Sequence, residues 1–165
     1  GAHRDLHSFP TRRSSDLDSN GAQCYCGSFG CLHTVASGEA VVAKWRRRRG
    51  TDRSQALLEL LDAADEGDET ALSLLDEAGR YAGIALAGLI NALAPDKVIV
   101  GGVLPHRSAT FFRRLSETAK RRAWPHAAES VEIRRSALGA DAFLLGAAAL
   151  VLDEWFTIPQ VPAIP

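Results

Sequence analysis

Residues 79–104, GRYAGIALAGLINALAPDKVIVGGVL, decide the fold. Their first half continues an apolar pattern that begins just upstream. Leu72, Leu75, Ala78, Ala82, Ala85, Leu86, Leu89, Ile90 and Leu93 recur at helical spacing and fall on one broad face. Asp68 stands where an N-cap belongs, and Pro95 ends the helix at about Ala94. Gly79, Gly83 and Gly88 lie within it. Each costs a helix about 1 kcal/mol relative to alanine, so close packing against another backbone is the expected reason for them. Beyond Pro95 the pattern changes: Lys97–Val100 reads as a short buried strand, closed by Gly101 and Gly102.

On the downstream side, residues 109–123 read as a helix and 131–134 as a second strand. Residues 141–156 form a final, very apolar helix, and 157–165, with three prolines, an irregular tail. On the upstream side, Ser54 opens a short helix carrying Leu57, Leu58, Leu60 and Leu61. Before it, Ser37 caps a helix with Val41, Val42 and Trp45, which ends in the arginine run 46–49. Short strands alternating with helices indicate an α/β domain. Two strands make a poor sheet, so the expectation is that upstream sequence completes it.

The 165 residues are 46% hydrophobic and 24% charged, enough for one domain with a sizeable core. The formal net charge of −1 gives no global field toward nucleic acid or anionic lipid. Apolar stretches such as 84–93 fall short of the roughly 20 residues that cross a bilayer. No apolar core of a signal peptide follows the basic residues near the start. The reading is a soluble cytoplasmic protein. The arginines at 46–49, and Arg113, Arg114, Lys120, Arg121 and Arg122, read as solvated helix ends, where cations are favourable, rather than as a nucleic-acid face.

Residues 1–17, GAHRDLHSFPTRRSSDL, differ in character from everything after them. They carry neither an apolar face nor caps, and residues 8–17 read as the translation of a common sequencing adapter. They are therefore set apart as non-native, like a fusion scar, with the native protein expected to extend upstream of Asp18.

The strongest local motif is Cys24-Tyr-Cys26-Gly-Ser-Phe-Gly30-Cys31-Leu-His33. Three thiols this close can converge on one tetrahedral metal ion, and Gly27 and Gly30 let the loop turn between them. Zinc suits such ligands and takes four of them, so a fourth must come from elsewhere. The alternative is three small thiols in a buried loop. No nucleophilic cysteine or Ser-His-Asp arrangement is evident.

In the order C-x-C-G-x-x-G-C-L-x, then 79–104, then SALGADAFLLGAAALVLDEWF at 136–156, the chain resembles the ROK family of sugar kinases and sugar-responsive repressors. The closing segment is similar to actinobacterial ROK regulators. The resemblance covers residues 18–156 and implies the C-terminal lobe of an actin-like ATPase (ribonuclease H-like) fold, truncated at its N-terminus. It implies zinc ligation by Cys24, Cys26 and Cys31, completed in the family by a histidine about ten residues before the first cysteine. Ser14 stands there in this chain. His33 holds the place of a family glutamate that accepts hydrogen bonds from a sugar hydroxyl, so it is the expected substrate-binding residue; it is also a second candidate for the fourth metal ligand. Gly101 and Gly102 match the glycine pair on the nucleotide side, where a backbone must come close to a ligand.

Two functions follow from the resemblance. One is the sugar-binding and dimerisation lobe of a homo-oligomeric transcriptional regulator, whose operator-DNA domain lies upstream. The other is the C-terminal lobe of an ATP-dependent sugar kinase, catalytically incomplete in this portion because the phosphate loop and catalytic aspartate belong to the other lobe. ATP is a ligand only in the second case. The glutamate-to-histidine exchange at His33 and the alanine-rich end favour the regulator, with a small sugar or sugar phosphate as effector and no catalytic residue in this portion.

Overall fold

The structure, a computed structural model, describes residues 17, 20–50 and 56–156. Ser14, Ser54, the tail at 157–165 and residues 1–17 other than Leu17 lie outside the described residues. The elements are α1 (Leu32–Ala36), α2 (Gly38–Arg49), α3 (Leu57–Asp65), α4 (Glu69–Leu93), β1 (Lys97–Val100), α5 (Val103–Arg107), α6 (Ala109–Arg122), α7 (Pro125–Ser130), β2 (Glu132–Arg135) and α8 (Ala142–Phe156). A 3-10 turn at Gly139–Asp141 leads into α8.

The α4 helix is the axis. The Asp68 carboxylate accepts from the Ala71 N–H at 2.7 Å, which satisfies one of the unpaired donors of the first turn. Ser37 caps α2 and Ser108 caps α6 in the same way, through the Ala40 and Phe111 N–H groups, each at 3.1 Å. Two of the three glycines of α4 have the expected role. A Cβ on Gly79 would lie 2.5 Å from the Phe111 carbonyl oxygen, and one on Gly83 would lie 2.6 Å from that of Leu115, so the backbone of α6 rests directly on α4. Gly88 differs: a Cβ there would meet nothing within 4 Å.

The main core gathers Val41 and Trp45 of α2, Leu60 and Leu61 of α3, Leu74 and Leu75 of α4, and Phe111 and Leu115 of α6. A smaller cluster of Ile90, Ala119, Ala123 and Val131 closes the far end. There Leu89 and Leu93, expected on the buried face, are exposed, because α7 and β2 cover only the side of α4 that carries Ile90.

The strands β1 and β2 pair in parallel, with Lys97 opposite Glu132 and Val100 opposite Arg135. β2 begins one residue later than its sequence suggests. The β1 strand is not buried as expected: Val98 and Val100 are half-buried while Lys97 and Ile99 face out. With a single partner strand, only one face of β1 is covered. The α8 helix also departs from expectation. Leu144, Leu150 and Trp155 are 73%, 74% and 81% exposed, so it contributes little to the core. No helix among the described residues is long and apolar enough to cross a membrane.

Candidate functional site: a cysteine knuckle beside a glycine-edged cavity

The knuckle folds through local hydrogen bonds. Gln23 and Phe29 form an antiparallel bridge, the Cys24 N–H donates to the Ser28 carbonyl at 2.8 Å, and the Gly27 N–H donates back to Cys24 at 2.9 Å. Gly27 at φ 86° and Gly30 at φ 59° take the left-handed turns, where another residue would cost about 1–2 kcal/mol. The Leu17 N–H donates to the Gly30 carbonyl at 2.9 Å and ties the incoming chain to the loop.

This fold brings the three sulfurs within 4.8 Å of one another, with Cys26 Sγ and Cys31 Sγ 3.6 Å apart. Zinc–sulfur bonds of about 2.3 Å place two sulfurs of a tetrahedron about 3.8 Å apart, so the cluster fits one zinc ion. No disulfide joins the three. Among the described residues His33 does not belong to this cluster. Its ring meets Tyr25 edge-on at 4.9 Å between centroids, and its Nε2 lies 3.9 Å from a Glu39 oxygen. The geometry thus gives no support to His33 as the fourth metal ligand.

Cys31 is the N-cap of α1, a helix too short for its periodicity to show in the sequence, and the Thr34 hydroxyl donates to the Cys31 carbonyl at 2.8 Å. This short helix links the knuckle to a cavity of about 540 Å³. His33 lines one side of the cavity, and Gly101 and Gly102, at the end of β1, line another. Three residues singled out in the sequence, separated by nearly seventy positions, therefore share one space. Among the described residues the lining is apolar apart from His33 and Ser37, and the Ser37 oxygen already accepts from Ala40.

A groove of about 480 Å³ adjoins the cavity and shares His33, Ser37, Gly38 and Leu57 with it. It adds Glu39, Val42 and Arg46, none of which the sequence reading singled out as site residues. The arginine run is not a uniform solvated end. Arg49 reaches Asp68 at 2.7 Å and stacks over Trp45 at 4.7 Å, Arg48 lies 4.0 Å from Glu77, and Arg46 lines the groove. Arg114 likewise meets Asp76 at 3.1 Å. The Asp68 carboxyl is held below its usual range, first by the Ala71 N–H and then by the Arg49 guanidinium, which outweigh its partial desolvation.

Parallel strands flanked by helices, with the cavity at the carboxyl end of β1, define a lobe of the actin-like ATPase fold, as solved neighbours show. The ROK hexokinase from Thermus thermophilus superposes with a TM-score of 0.68 at 34% identity, over 81% of this chain and 45% of that one. The chain belongs to the ROK family, whose sequence model matches residues 13–154. A glucokinase of Halalkalibacterium halodurans is 33% identical over 151 residues, which are 84% of this chain and 46% of the relative. The DNA-binding transcriptional repressor Mlc of Escherichia coli is 27% identical over 149 residues, 86% of this chain and 36% of the relative. The chain spans less than half the length of either, and its family includes both kinases and repressors.

Proposed function

We propose that the chain is the effector lobe of a sugar-responsive transcriptional regulator, acting in a cytoplasmic homo-oligomer with a DNA-binding segment upstream of residue 18. The observation that carries this reading is the composition of the cavity. His33 stands where the family pattern has a sugar-binding glutamate, and among the described residues no Asp, Glu, Lys or Arg lines the space between it and Gly101–Gly102. His33 hydrogen-bonds a sugar hydroxyl, and the glycine pair forms a wall that a ligand approaches closely.

Cys24, Cys26 and Cys31 hold a zinc ion whose role is structural, with a histidine upstream as fourth ligand in the native protein. His33 lies two residues beyond Cys31, so fixing the Cys31 sulfur fixes the start of α1 and the direction of the imidazole. Metal analysis of the native-length protein, purified without chelator, is expected to give one zinc per chain; its absence overturns the assignment.

Sugar binding shifts the operator affinity by no more than the sugar's differential affinity for the two conformations. Fluorescence anisotropy of operator DNA with the native-length protein is expected to respond to sugar without ATP. Replacing His33 by glutamate is expected to tighten glucose binding by about 1–2 kcal/mol, the scale of a charge-assisted hydrogen bond, measured by calorimetry. The second reading, an ATP-dependent sugar kinase, is favoured by the higher identity to the glucokinase, 33% against 27% for the repressor. ATP-dependent phosphorylation of sugar by the native-length protein decides for that reading.

A further inference from the structure

The three cysteines of the knuckle are not alike. Cys24 and Cys31 are 6% and 4% exposed, whereas Cys26 is half-buried and so is the one that a small solute reaches first. The backbone separates them as well. Cys24 is held at its N–H by the Ser28 carbonyl at 2.8 Å and at its carbonyl by the Gly27 N–H at 2.9 Å. Between Cys26 and Cys31 the chain bends at Gly27 and Gly30, both left-handed, and a Cβ on Gly27 would meet nothing within 4 Å. Cys26 Sγ and Cys31 Sγ stand 3.6 Å apart, so a disulfide of about 2.05 Å needs them to approach by only about 1.5 Å. Both residues lead to the cavity wall. Tyr25, next to Cys26, meets the His33 ring edge-on at 4.9 Å, and His33 lies two residues past Cys31 in the short helix that Cys31 opens. His33 in turn lines the cavity.

We propose that Cys26 and Cys31 form an oxidative modification site, at which hydrogen peroxide converts the two thiols to a disulfide that repositions His33 at the cavity wall. The Cys26 sulfur attacks one peroxide oxygen and the O–O bond breaks. One water leaves, and a sulfenic acid remains on Cys26. The Cys31 sulfur then attacks Cys26 Sγ. The S–O bond breaks, the departing hydroxide takes the Cys31 proton as a second water, and the S–S bond forms. Two sulfurs are oxidised and one peroxide is reduced to two waters. Burial keeps Cys31 from meeting the oxidant itself and reserves it for the second step. Zinc, where bound, is held by the same sulfurs, so the disulfide removes two of the three ligands that the knuckle supplies. The inference stands apart from the sugar-effector reading, since it concerns a covalent state of the knuckle and needs no ligand in the cavity.

Hydrogen peroxide treatment of the reduced 165-residue chain, followed by alkylation and peptide mass mapping, tests this. The expected result is the loss of two hydrogens from the peptide that carries all three cysteines, a Cys26–Cys31 linkage, an alkylated Cys24, and recovery of every thiol with dithiothreitol. In Cys31→Ser the chemistry stops at the sulfenic acid, and a dimedone label is expected on Cys26 at about five times its level on Cys24. The consequence for the cavity is read from the His33 imidazole resonances, assigned with His33→Gln. They are expected to shift when the wild-type chain is oxidised and to return on reduction. A linkage through Cys24 or between two chains overturns the inference, as does a full set of three alkylated thiols after treatment. His33 resonances unmoved by the disulfide overturn its link to the cavity. Mapping of the wild-type chain decides the linkage even where Cys31→Ser fails to fold by circular dichroism.

Discussion

The α4 and α8 helices are both rich in alanine and leucine, yet α4 is the centre of the core while α8 stands clear of it. The difference lies in arrangement rather than in content. Over the first two-thirds of α4 the apolar residues keep to one side, and Asp76, Glu77 and Arg80 occupy the other; only near its end do Leu89 and Leu93 stand exposed. A single layer of neighbours, α2, α3 and α6, therefore covers what must be covered. In α8 apolar side chains point all round, so burial needs partners on several sides. Among the described residues the 3-10 turn beside it is its main neighbour. Hydrophobicity marks a helix for burial; its periodicity decides whether one lobe can supply that burial.

The largest test of this contrast pairs two tryptophans. Trp45 on α2 is 1% exposed and Trp155 on α8 is 81% exposed. Trp45→Ala is expected to lower unfolding free energy by about 4 kcal/mol, whereas Trp155→Ala stays within about 0.5 kcal/mol. Comparable losses in urea denaturation would show that α8 packs on the body in solution and would erase the distinction.

A second pair lies within α4. Gly83→Ala drives a methyl group into the Leu115 carbonyl and the Thr118 side chain and is expected to cost about 2 kcal/mol despite alanine's better helix propensity. Gly88→Ala meets open space and is expected to stabilise by up to about 1 kcal/mol. A stabilised Gly83→Ala would mean that α6 does not rest on α4 as described.

The smallest effect concerns the cap of α4. Asp68→Ala is expected to cost about 1 kcal/mol at neutral pH. The native carboxyl is depressed below its ordinary value of 3.8, so the unfolded chain takes up a proton first as pH falls. The stabilisation is thus fully present above the ordinary carboxyl range and lost as pH drops through the native value. Thermal melts of wild type and Asp68→Ala should converge at low pH; a constant gap would assign the cost to packing rather than to charge.

Much of the body was legible because its signals are local. Asp68, Ser37 and Pro95 mark helix ends through bonds or sterics spanning at most four residues, and β1 falls where its apolar run stands. The α1, α5 and α7 helices escaped notice because five or six residues complete barely more than one turn and show no periodicity. In the site, the cysteine triad could be read from spacing, since the loop that assembles it closes through its own backbone. Glu39 and Arg46 could not. Their place in the groove depends on which side of α2 faces α3, and α2 is polar enough that its sequence gives that side little emphasis.

The sequence by itself determined the knuckle, the caps, the long α4 helix and the family, because each rests on residues a few positions apart or on an ordered set of such motifs. Only the tertiary structure decided that His33 and Gly101–Gly102 border one cavity and that Arg46 lines a groove while Arg48 and Arg49 turn to the acids of α4. It also decided that α8 and one face of β1 lie open. These are contacts between distant segments, set by how helices and strands pack against one another, and no local pattern encodes which surface meets which.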